Sequence, residues 1–114
     1  MKFMLQVRFN GADAVIGELS VEEQQKVTDE FIAIRKSDGV LDGNQLLAAS
    51  EAATVRVKGG QTRVTAGPAV DEGAALNGYY VYDAPDLDAA IAFGARIPAA
   101  RFGATIEVRE MMER

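Results

Sequence analysis

Arg8, Arg56, Arg63 and Arg109 fall at alternating positions of extended-looking segments. Each carries a planar guanidinium that binds a carboxylate or phosphate through paired hydrogen bonds. Gathered on one sheet face, they would recognise a small anion. The alternative reading pairs them with Glu107 or with acids of a second subunit. A second cluster is aromatic: Tyr79, Tyr80 and Tyr82 offer phenolic hydroxyls, but strand alternation keeps the trio from lining one pocket. Tyr80 is the ring expected to face out. Asp71 and Glu72 sit in a loop where a carboxylate acts as a base only if burial raises its pKa, and otherwise rests in solvent.

The absences bound the chemistry. No histidine occurs among the 114 residues, which removes the commonest general base at neutral pH and the commonest metal ligand. No cysteine occurs either, so disulfides, thiolate metal sites and thiol nucleophiles are excluded. A Gly-rich phosphate loop, a serine nucleophile elbow and a metal-ligand cluster are not found in the sequence, and neither cofactor nor metal is expected. The net charge of −5 opposes binding to nucleic acid, which needs clustered cations to displace counterions. The opening apolar run is too short for a signal peptide and no run approaches bilayer length, so the expected location is the cytoplasm with no membrane contact.

The elements that must position these side chains follow from periodicity. Residues 2–9 alternate, with Phe3, Leu5, Val7 and Phe9 on one side and Gln6 and Arg8 on the other, which predicts a strand. Ser20 and Glu23 form a capping box ahead of Val27, Phe31 and Ile34 at helical spacing, and Gly39 marks the end of that helix. Gly59-Gly60 joins two short β-rich runs, 54–58 and 61–65, into a hairpin. An aromatic strand follows at 78–82. Asp83 and Asp86 are expected caps for a helix carrying Leu87, Ala90, Ile91, Gly94 and Ala95, which stops before Pro98. A final alternating run, 104–109, closes the chain.

The expected order is β-α-β-β-β-α-β in a single domain over 1–114, an α+β ferredoxin-like arrangement with both helices on one sheet face. Val55, Val57, Val64, Ile106 and Val108 are assigned to the helix-covered side, and Arg8, Arg56, Arg63 and Arg109 to the bare one. That face meets water or a second subunit.

Two blocks carry a resemblance: Met1-Lys2-Phe3-Met4-Leu5, and Gly78-Tyr79-Tyr80-Val81 running through Leu87-Asp88-Ala89-Ala90 and Arg96-Ile97-Pro98-Ala99 to Ile106-Glu107-Val108-Arg109. The chain resembles the YCII-related family, DGPF branch, with Ala66-Gly67-Pro68-Ala69 standing where that branch has Asp-Gly-Pro-Phe. The resemblance implies a homodimer in which two open sheet faces meet as a dimeric α+β barrel. In better understood relatives a histidine and an aspartate are proposed as a catalytic pair, and one relative is a dehydrochlorinase; a chain without histidine cannot form that pair. The expected function is a homodimeric protein binding a small anionic or aromatic ligand at the polar face through Arg8, Arg56, Arg63, Tyr80 and Arg109. The alternative is a non-enzymatic interaction or regulatory module, because some relatives are encoded beside or fused to extracytoplasmic-function sigma factors.

Overall fold

The structure, a computed structural model, describes residues 1–113. Six strands, β1 (Lys2–Arg8), β2 (Val40–Gln45), β3 (Ala53–Lys58), β4 (Gln61–Ala66), β5 (Gly78–Asp83) and β6 (Thr105–Glu110), are joined by α1 (Ala12–Gly17), α2 (Val21–Arg35) and α3 (Leu87–Ala95). Short 3-10 turns occupy Ala49–Glu51, Glu72–Ala74 and Pro98–Phe102.

The main sheet has four strands in the order β2-β5-β1-β6, with each neighbouring pair antiparallel. This makes β1 parallel to β2 with β5 between them, and β5 parallel to β6 with β1 between them. Two interlocked split β-α-β units of this kind are the ferredoxin-like arrangement.

Local chemistry accounts for the helices. The Ser20 hydroxyl accepts a hydrogen bond from the Glu23 amide at 3.1 Å, starting α2, and the Asp86 carboxylate accepts one from the Ala89 amide at 2.8 Å, starting α3. Asp83, expected as a second cap, instead receives the N-terminal ammonium at 3.2 Å. The alternation of β1 drives Phe3, Leu5 and Val7 into a core shared with Ile34 of α2 and with Ala90 and Phe93 of α3. Phe93 stacks on Tyr82 with ring centroids 4.0 Å apart and meets Tyr80 edge-on at 6.1 Å. Both helices therefore cover the same face. A two-pronged ion pair between Arg101 and Glu30, at 2.6 and 2.9 Å, ties the turn after α3 to α2 and holds the Glu30 carboxyl below its usual range.

The expected sheet is corrected in three places. First, the hairpin is not part of it: β3 and β4 pair only with each other, forming an arm inserted between β2 and β5. Val55, Val57 and Val64, expected under the helices, are 60, 68 and 65% exposed. The turn itself is as expected, with Gly59 and Gly60 both at positive φ.

Second, the strand that takes the hairpin's expected place is β2. Its Asp42-Gly43-Asn44 centre reads as a turn in sequence, but pairing with β5 holds it extended around a bulge at Leu41. Third, the short helix α1 lies in a stretch that carries no helical periodicity long enough to predict it.

Candidate functional site

Register across the main sheet aligns its uncovered face in rows. One row runs Asn44, Tyr79, Gln6, Glu107 from β2 to β6, and the next runs Asp42, Val81, Met4, Arg109. Arg8 stands one row further along β1, opposite Thr105. Arg8 and Arg109 are thus on the expected face. Arg56 and Arg63 are not: they lie directly opposite each other on the arm, outside the main sheet.

Tyr80 is also corrected. It is buried at 8% exposure beneath the helices, while its neighbour Tyr79 is the ring on the open face. The alternation of β5 was legible, but Tyr79/Val81 and Tyr80/Tyr82 are both plausible inward pairs, so the phase was decided by packing on Phe93.

At the β2 side, the Tyr79 hydroxyl accepts a hydrogen bond from the Asn44 amide at 2.9 Å and donates one to Asp42 at 3.3 Å. Asp42 also accepts from the Gly43 amide at 2.9 Å and lies 4.0 Å from the Arg35 guanidinium. Asp42 and Asn44 lie in a segment, 40–45, for which no element was expected, because it carries no apolar alternation.

At the β1 side, Arg8 is held by several anchors. Its Nε donates to the Ala74 carbonyl at 3.2 Å and its Nη2 donates to Gln6 Oε1 at 3.2 Å. The loop supplying Ala74 is fixed in turn by Asn77, whose side-chain oxygen accepts from the Phe9 amide at 2.7 Å and whose own amide donates to the Val7 carbonyl at 2.9 Å. The remaining nitrogen, Nη1, is buried and makes no hydrogen bond; the nearest acid oxygen, on Glu107, is 4.0 Å away. A buried donor without an acceptor costs about 1–3 kcal/mol, and more when charged. The Arg8 side chain as a whole stays 27% exposed, a cation fixed on the open face beside Glu107. Asp71 and Glu72, the candidate loop acids, are both exposed beside that loop.

Comparison with known families rests on the whole length of this fold: the family model of the YCII-related domain matches residues 1–113. The chain belongs to the YCII-related family. No curated protein matches it. This YCII-related chain has no histidine, and its open face presents Arg8, Gln6, Tyr79 and Glu107. Among the described residues no helix is long and apolar enough to cross a membrane.

Proposed function

We propose that this YCII-related chain is a homodimer that binds a small carboxylate on the open sheet face, with Arg8 as its anchor. The observation that carries the reading is the partly exposed Arg8 side chain on the open face, fixed through Nε and Nη2 and only loosely paired with Glu107 at 4.0 Å. A carboxylate there would pair with the guanidinium, with Gln6 and Thr105 as neighbours and Tyr79 and Met4 offering surface to an aromatic or aliphatic body. Arg109 lies two rows away on the same face as a secondary cation.

A second copy over this face would enclose the site and strengthen its electrostatics by excluding water. Its support is the family resemblance together with half-buried Met4 and Val81 at the centre of a face with no layer above it. The DGPF branch, suggested by Gly67-Pro68 ahead of the aromatic strand, and a cytoplasmic location belong to the same proposal.

The test is thermal denaturation with a panel of aromatic and aliphatic carboxylates. A ligand at 100 times its Kd adds about 2.7 kcal/mol of stability, so a binder gives a clear rise in Tm that Arg8→Ala abolishes. No stabilisation by any acid, or a rise that survives Arg8→Ala, overturns it.

The bare arm favours a second reading, a non-enzymatic regulatory module. Some relatives are encoded beside or fused to extracytoplasmic-function sigma factors, and direct titration against such a factor tests the reading.

A further inference from the structure

The arm cannot be explained as an isolated hairpin. Two strands without a third are marginal in water, and this pair sets Arg56 directly against Arg63, a like-charge pairing that destabilises a ladder. Its two faces differ sharply. Ala53, Val55, Val57, Thr62, Val64 and Ala66 share one side; Arg56, Lys58 and Arg63 share the other with polar neighbours.

The apolar side does not stop at the arm. Ala53 also lines a groove of about 610 Å³ at the arm's root, walled by Leu46, Leu47 and Val70, of which Leu47 is 77% exposed. A continuous strip of this extent is the mark of a protein contact, unlike singly scattered surface residues.

Charge indicates what covers it. The arm holds three cations and no acid; setting these aside from the net −5 leaves −8 on the rest of the chain. Glu51, at the groove, and Asp71 and Glu72 just beyond it enter no ion pair among the described residues, and neither do Arg56, Lys58 or Arg63. A basic tip and an acidic root on one molecule are complementary between two copies placed head to tail, and a two-fold axis makes the contact twice.

We propose that the arms of two copies stack by their valine faces in opposite directions, the tip of each lying over the apolar root of the other. In that arrangement Val57 of one copy approaches Ala66 of the other, and the basic tip of each arm lies near the acidic root of its partner. The arm thus becomes an exchanged clasp on the dimer proposed above, on whose existence this inference rests.

Two measurements decide it. Sedimentation of the full chain is compared with Val55→Ser/Val57→Ser/Val64→Ser, for which at least a tenfold rise in the dimer dissociation constant is expected. A wild-type chain that stays monomeric throughout overturns the dimer and the clasp together, and assigns the strip to another partner. A wild-type dimer that the triple variant leaves unweakened overturns the clasp alone.

The absence of cysteine allows the second measurement. Val57→Cys/Ala66→Cys, too far apart on one arm for an internal bridge, is expected to give a covalent dimer on mild oxidation. Lys58→Cys/Thr65→Cys, the equivalent pair on the opposite face, is expected to remain unlinked. No dimer from the first pair, or equal dimer from both, overturns the stacking.

Discussion

Burial pushes the Tyr80 hydroxyl above the ordinary tyrosine value near 10, and the charge of Arg35 only partly offsets this. The neutral phenol is the form the core accepts. Because the folded-state pKa is the raised one, the stability linked to this group is fully present below pH about 10 and is lost as pH rises through the higher folded value. Alkaline unfolding is therefore expected to coincide with appearance of the last tyrosinate absorbance, and Tyr80→Phe should shift that unfolding to higher pH. An unchanged alkaline midpoint in the variant would refute the assignment. At this scale sequence carried half of the site. Arg8, Gln6 and Glu107 were placed on the open face by the clean alternation of β1 and β6. Tyr80 was not, since β5 has aromatic or branched side chains on both of its faces and only the rings of Phe93 and Tyr82 choose between them.

Among the elements, β2 depends most on its neighbour. Gly43 lies so close to β5 that a β-carbon there would stand 2.7 Å from Tyr80 Cδ1. The ring has little room to yield, because it packs on Phe93. Gly43→Ala is expected to cost about 1–3 kcal/mol in chemical denaturation. A neutral effect would show that β2 slides freely on its neighbour. The same closeness explains why the strand was illegible. Asp42-Gly43-Asn44 has turn propensity, and only the ladder to β5 and the room that glycine leaves for Tyr80 hold it extended. The arm shows the converse. Its turn and strands were evident from Gly59-Gly60 and the β-branched runs, yet nothing local says which sheet a hairpin joins, and its valines read equally well as core or interface.

The whole molecule is broad and thin, with extents of 48 × 41 × 19 Å and a radius of gyration of 16.0 Å. A compact chain of this length would have a radius near 13 Å. The excess belongs to the projecting arm and to a sheet layered on one side only. Small-angle scattering of the triple valine-to-serine variant, as a monomer, is expected to give a radius close to 16.0 Å. A value near 13 Å would mean that the arm folds back on its own body, making the strip an internal contact.

One border of the main sheet has a consequence for the protein at high concentration. A sheet that ends at β2 presents a row of unpaired peptide groups, and such a row is a template on which other chains polymerise. Here the bulge at Leu41 breaks the straight line of that row, and the Arg35 guanidinium already donates to the Gly43 carbonyl. The helix that covers the core thus also reaches round and stops the sheet from growing. Fibril formation is discouraged at this edge by the bulge and the Arg35 side chain together.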